Sequence, residues 1–294
     1  MRKSNETVKS LVVKRAEAGL KLQDYLAKIF NLSKREAKAL LDGHRIWVNR
    51  KLIWMAHHTV QQGDIVDVRL TGVKTKSGAA EAVKNEEPKK IRILVDCGEY
   101  MVVDKPSGIL CIGNKSIESM LREQLQNEEI QVVHRLDRDT SGCLLVAKNE
   151  FAFNAAVSSF KTRKVIKIYQ AVVAGYYERG SSTVRNELDG ERAVTHIQKL
   201  ISTKDASFLK IRIETGRTRQ IRRHLSQLHF PVLGDAEYGL KRVSDSRMLS
   251  LPRQMLHASS IELANPLDPK STIKAHSPLP ADLRRCLRLF GMGK

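Results

Sequence analysis

The sequence predicts an α+β protein in two domains, a small α+β domain followed by a larger one built mainly from strands. The composition changes clearly once, at residues 71–90, TGVKTKSGAAEAVKNEEPKK, which are poor in large apolar residues and hold no usable period, as in a flexible linker. Two short helical patterns and then strand signals precede this stretch. After it, short apolar runs dominate and helical patterns interrupt them at intervals. The boundaries expected are 11–70 for the first domain, 71–90 for the linker and 91–290 for the second, which suits a length of 294 residues.

In the first domain Leu22, Leu26 and Ile29 form a helical stripe. Ser33-Lys34-Arg35-Glu36 is a capping box opening a second helix that Gly43 is placed to end. Ile46 and Val48 alternate as in a strand, Asn49-Arg50 can turn, and Gly63-Asp64 precedes a strand from Ile65 to Val68. Past the linker, Ile91, Ile93 and Val95 alternate, while Val102-Val103, Val132-Val133 and Leu144-Leu145-Val146 are short apolar runs. The stretch from Val165 to Val173 is long and rich in β formers. Helices are expected around Ile117 to Leu125 and Phe153 to Phe160.

Lys and Arg total 51 against 32 Asp and Glu, a formal charge of +19, which favours a polyanionic partner such as nucleic acid. A membrane surface is the alternative, but no apolar run approaches the about 18 residues of a spanning helix and the basic residues are spread along the whole chain. The first ten residues lack the apolar core of a signal peptide, so a cytoplasmic protein is expected. The four cysteines form no C-x-x-C pair and the nine histidines no H-E-x-x-H, so no metal site is expected. Cys143, in an apolar run, reads as a small core residue.

The most informative stretch is His134 to Gly142, HRLDRDTSG, which sets the carboxylate of Asp137 beside guanidiniums in a turn between apolar runs. A polar turn in which Asp137 or Asp139 bonds its own backbone fits this stretch equally well. It echoes the kinase catalytic loop, but the Asp does not follow the Arg directly and the chain has no G-x-G-x-x-G or D-F-G. Thr215 to His224, TGRTRQIRRH, brings Arg217, Arg219, Arg222 and Arg223 to the start of an expected helix with Ile221, Leu225 and Leu228 on one face. Gly234-Asp235-Ala236-Glu237-Tyr238-Gly239 then forms a second glycine-bounded turn.

HRLD with T-S-G, T-G-R-T-x-Q-I-R-x-H and G-D-x-x-Y-G, in this order, closely resemble the motifs of the RluA-type pseudouridine synthases, which isomerise uridine in RNA. Met101 to Gly108 (MVVDKPSG), Lys167-Ile168-Tyr169, Ala193-Val194-Thr195 and Leu256-His257-Ala258 also fall where that family has such residues, so the resemblance covers roughly residues 91–285. The sister RsuA-type family usually has Gly at the position of His134. Arg219 stands where the RluA type commonly has His. The resemblance implies a mixed, largely antiparallel sheet flanked by helices, with the active cleft across it. Residues 20–68 resemble the small RNA-binding module named after ribosomal protein S-four, with Lys34, Arg35 and Lys38 on its second helix meeting phosphates.

Pseudouridine formation breaks the N-glycosidic bond of a uridine, turns the uracil and rejoins it through carbon five, with no redox change or group donor, so no cofactor is expected. A carboxylate beside the sugar serves as nucleophile at the anomeric carbon or base at the 2′ carbon, and Asp137 is the candidate. The resemblance implies Arg222 as its counter-charge, Tyr169 stacked on the uracil, and Arg135 entering the RNA where the target base has flipped out. Arg135 has a plainer reading as a turn-stabilising ion pair with Asp137 or Asp139, Tyr169 as a core aromatic, and Lys105 as a supporting cation. His134, Lys105, Arg217 and Arg219 complete the expected RNA contacts. Large-subunit ribosomal RNA is the expected substrate and a monomer the expected state. Transfer RNA, a non-catalytic ribosome-assembly role, and a nucleosidase or DNA glycosylase are the alternatives.

Overall fold

The computed structural model describes residues 7–42, 46–49, 51–53, 55–70, 90–161, 165–240 and 245–293. The chain divides into two compact units, Met1–Asn85 with Leu240–Arg253, and Glu86–Gly239 with Gln254–Lys294. Gly43, Arg50 and residues 71–89 of the expected linker lie outside the described residues.

In the first unit four strands, β1 (Thr7–Val12), β2 (Ile46–Val48), β3 (Lys51–Leu52) and β4 (Ile65–Leu70), form an antiparallel sheet in the order β1-β4-β2-β3. Helix α1 (Leu22–Ile29) buries Leu22, Tyr25 and Leu26, and α2 (Lys34–Asp42) buries Ala37, Leu40 and Leu41, in one core with Ile46, Val48, Val66 and Val68. The expected capping box is present: the Ser33 N–H donates to Glu36 Oε2 at 2.8 Å and the Glu36 N–H to Ser33 Oγ at 3.2 Å. Because Ala37, Leu40 and Leu41 face the core, Lys34, Arg35 and Lys38 are left exposed on α2. A short helix, α6 (Ser246–Leu249), belongs to the same unit.

The second unit is built on one ten-stranded sheet. Its elements in chain order are β5 (Arg92–Cys97), β6 (Tyr100–Lys105), α3 (Ile117–Leu125), β7 (Gln131–Val132), β8 (Ser141–Ala147), α4 (Glu150–Lys161), β9 (Ile166–Ala174), β10 (Ser181–Val184), β11 (Thr195–Ser202), β12 (Ala206–Ile213), α5 (Gln220–Gln227), β13 (Leu256–Asn265), β14 (Asp268–His276) and α7 (Ala281–Leu289). Strand order is β10-β11-β12-β9-β13-β8-β6-β5, with β14 on β13 and β7 on β8. Among these pairs β13–β8 is parallel and the rest antiparallel, so the sheet is mixed and largely antiparallel, as expected. Tyr100, Val102, Cys143, Leu145, Ala152, Ala156, Ile261 and Ile273 share one core, in which small residues of α4 lie close to β8.

The parallel pair seats the functional loop. Ala258 lies opposite Gly142, which has φ +113°, and a Cβ there would come 2.1 Å from the Ala258 carbonyl oxygen. Only glycine allows β8 to start here, directly after the HRLD turn. The helical reading of the arginine motif needs correcting. Helix α5 begins at Gln220, so Arg217 and Arg219 precede it, and Arg219 is a left-handed N-cap at φ 54°. The buried Gln220 side chain holds this entry: its Oε1 accepts from Thr215 Oγ1 (2.7 Å) and the Arg217 N–H (3.0 Å), and its Nε2 donates to the Val194 carbonyl (3.0 Å).

Candidate active site

Asp137 sits in the loop between β7 and β8, and Arg222 points at it from α5. Arg222 Nη1 donates to Asp137 Oδ2 at 2.9 Å. The loop is fixed from below by Lys105. Its Nζ donates to the carbonyls of Pro106 (3.0 Å), Arg138 (2.8 Å) and Thr140 (2.9 Å), and the residue is fully buried. Lys105 is therefore not an RNA contact, which corrects the expectation. The geometry fits the other reading, a supporting cation, because three carbonyls converge on the ammonium and replace its water. Thr140 closes the turn, its N–H bonding the Asp137 carbonyl at 3.0 Å while its Oγ1 accepts from Gln254.

Arg222 is shared. Its Nε and Nη2 make a bidentate pair with Asp235 at 2.6 and 2.7 Å, and Nη2 reaches Glu237 Oε2 at 3.4 Å. Exposure of the side chains runs from 0% for Asp235 and 7% for Arg222 to 28% for Asp137. Burial opposes the guanidinium charge, but the hydrogen bonds and charges of Asp235 and Asp137 outweigh it and hold its pKa above the usual arginine value. Asp235 Oδ1 also accepts from the Glu237 and Tyr238 N–H groups at 2.9 and 3.0 Å. The GDAEYG turn is thus a cradle for Arg222, closed where Gly239 packs on the Asp235 carbonyl so tightly that a Cβ would lie 2.0 Å from it.

A cleft of about 460 Å³ opens over this pair, lined among others by Ile112, His134, Arg135, Asp137, Phe160, Lys167, Tyr169, Arg217, Arg219 and Arg222. Tyr169 enters from β9, opposite Ile211 of β12 and Ala258 of β13, and is 7% exposed. Burial first, then the charge of Asp137, push its phenol above the usual tyrosine value, so it stays protonated at neutral pH.

This frame has relatives. The RNA pseudouridylate synthase family matches residues 99–227. An uncharacterised RNA pseudouridine synthase of Mycobacterium bovis is 30% identical, covering 96% of this chain and 98% of its own length. The chain belongs to the RluA-type RNA pseudouridine synthases. It is an isomerase by that membership. Ribosomal large subunit pseudouridine synthase D of Buchnera aphidicola subsp. Acyrthosiphon pisum is 28% identical over 92% of this chain and 94% of its own, and synthase C of Vibrio cholerae is 28% identical over 92% and 93%. Human RNA Pseudouridylate Synthase Domain Containing 4 shares the fold at TM-score 0.58, with 22% identity over 68% of this chain and 93% of its own.

In this synthase the structure brings Asp137, Arg222, Tyr169 and Arg135 to one cleft. Arg135 is exposed at its mouth and makes no ion pair with Asp137 or Asp139; Arg138 pairs with Asp139 instead, at 3.2 Å. Arg217 and Arg219 line the cleft with their charges committed, Arg217 to Glu191 at 2.5 Å and Arg219 to Glu237. His134 is a neutral wall rather than a cation for phosphate. Its Nε2 accepts the Leu145 N–H at 3.1 Å, its ring stacks on Phe160, and burial together with the Lys167 charge lowers its pKa to about 3. Lys34, Arg35 and Lys38 belong to the other unit. Missed in the sequence as site residues were Asp235, Glu237, Gln220 and Lys167, although each stands inside a quoted motif. Among the described residues no helix is long and apolar enough to cross a membrane, and no group of three or more His, Cys, Asp or Glu is placed to hold a metal.

Proposed function

We propose that this synthase isomerises specific uridines of large-subunit ribosomal RNA, with Asp137 acting on the sugar of a nucleotide flipped out of its stack. The observation that carries this is the Asp137–Arg222 pair on the floor of a cleft whose wall is Tyr169. An ionised carboxylate held by a permanent cation is ready to attack the anomeric carbon or take the 2′ proton. Reaching it requires the base to leave its stack, at a cost of a few kcal/mol, and Arg135, which is exposed, is read as the residue that stacks in the gap. Tyr169, protonated, offers the uracil a ring face. The names of the relatives from Buchnera and Vibrio support a ribosomal substrate. Residues 11–70 are read as an S-four-like module whose Lys34, Arg35 and Lys38 meet phosphates. Every side chain of the cleft comes from one unit of one chain, which supports action as a monomer.

The test is tritium release from RNA labelled at uridine carbon five, comparing a large-subunit ribosomal RNA transcript with transfer RNA. Release from the ribosomal transcript is expected. Asp137→Asn is expected to lower the rate by at least about 10² to 10⁴ with fold and RNA affinity nearly unchanged. Turnover of that variant within tenfold of wild type, or release from transfer RNA alone, would refute the catalytic or the substrate assignment respectively.

A further inference from the structure

We propose that Lys167 is a further catalytic residue: its ammonium stabilises the negative charge that uracil acquires when the glycosidic bond breaks. This rests on the isomerase reading above. Lys167 and Tyr169 are two apart on β9 and so leave the strand on the same face, and both line the cleft that holds Asp137 and Arg222. The ammonium lies over the Phe160 ring, 5.8 Å from its centroid, and beside Gly216. It makes no ion pair or hydrogen bond among the described residues, and desolvation alone holds its pKa below the usual lysine value. The other cations of the cleft differ. Arg222, Arg217 and Arg219 are tied to carboxylates, and Arg135 stands in solvent. A desolvated cation with a ring face but no counter-charge destabilises a fold, so its presence on this wall points to an anion that arrives with the substrate.

The reaction supplies one. When the C1′–N1 bond breaks, its electron pair goes to N1 and spreads onto O2 and O4, so the base departs as a monoanion. C5 then bonds C1′ with a ring π pair, the C5 proton leaves, and N1 gains one, restoring the composition. Lys167 keeps its proton throughout and contributes charge only. Because the ring is neutral when bound and anionic as it leaves, the ammonium favours the transition state over the ground state.

The experiment uses the full chain and ribosomal and transfer RNA transcripts made with uridine or with 5-fluorouridine, whose base is the more acidic and the better leaving anion. With fluorine on C5 there is no proton to lose, so the measurement is consumption of the starting nucleoside in single turnover, by chromatography after digestion. Lys167→Met is expected to lower the rate on uridine RNA by about 10²-fold, with RNA affinity little changed and a much smaller loss on the fluorinated RNA. Lys167→Arg is expected to restore most of the rate. The Met variant is also expected to melt no lower than wild type, since it removes an unpaired desolvated charge. Equal losses on both RNAs, weaker and less salt-sensitive binding at an unchanged rate, or a lower melting temperature with a proportionate loss would overturn the proposal in favour of a phosphate contact or a structural prop. Wild-type protein inactive on every transcript would instead overturn the reading on which it rests.

Discussion

Replacing Arg222 with Met strands a buried carboxylate. Asp235 has no exposed side-chain surface, and without the guanidinium its Oδ2 loses the 2.6 Å bond while Oδ1 keeps only the Glu237 and Tyr238 N–H groups. Asp137 and Glu237, at 28% and 35% exposure, still reach water. Removing one partner of a buried pair costs about 3–5 kcal/mol, whereas exposed pairs contribute about 0–1. Nearly all of the loss therefore comes from Asp235. In a unit of this size each kcal/mol is worth roughly 2–4 °C, so the melting transition should fall by about 6–20 °C. A second substitution tests the cause. Asp235→Asn in the Arg222→Met background removes the stranded charge at nearly constant shape, so the double variant should melt several degrees above the single one. Scanning calorimetry of the two variants reads the difference. Melting within about 2 °C of wild type, or additive losses in the double variant, would show that the Arg222–Asp235 pair does not anchor the site.

Gly142→Ala places a Cβ 2.1 Å from the Ala258 carbonyl in a left-handed backbone, so soluble yield and melting temperature should both drop sharply, and normal values would refute the tight β8–β13 crossing. His134, held at about 3 in the folded chain against an ordinary 6.5, contributes stability that is present above pH 6.5 and lost as pH falls toward 3; the full shift is worth at most about 5 kcal/mol, and His134→Gln should flatten this acid limb in denaturant titrations. Deleting residues 1–80 should leave a folded unit that still isomerises RNA but binds it more weakly. The salt slope should flatten by about 0.7 per lost phosphate contact on single strands, and an unchanged slope would mean that Lys34, Arg35 and Lys38 face something else.

Local signals were the legible part. Helix α3 and the capping box of α2 stand where periodicity and cap chemistry put them, because each is decided within a few residues. Strands β11 to β14 escaped individual recognition: Lys199, Lys210, Arg212 and Lys274 punctuate them, and their apolar faces are specified by partners far along the chain. The pairing of Asp137 with Arg222 spans 85 residues, and only the motif resemblance anticipated it. Nothing local marks Asp235 as the clamp on that arginine. Lys105 was misplaced for a related reason: a lysine in a turn belongs at the surface unless several carbonyls gather around it, and here those of Arg138 and Thr140 come from 33 and 35 residues downstream.

The distribution of charge ties these pieces together. The chain carries +19 overall, and the cleft is lined by Arg135, Lys167, Arg217, Arg219 and Arg222 around the carboxylate of Asp137, with Asp235 and Glu237 holding Arg222 from behind it. On the proposed reading the Asp137 carboxylate favours a cationic sugar, while the ammonium of Lys167 on the wall favours an anionic base. On the same reading, the basic surface draws the backbone to the rim and the neutral nucleoside descends. The cleft then stabilises both products of splitting its glycosidic bond, each on its own side. Reversing either charge should therefore slow bond breaking far more than it weakens RNA binding, a separation that single-turnover rates and equilibrium affinities measured on one transcript can read directly.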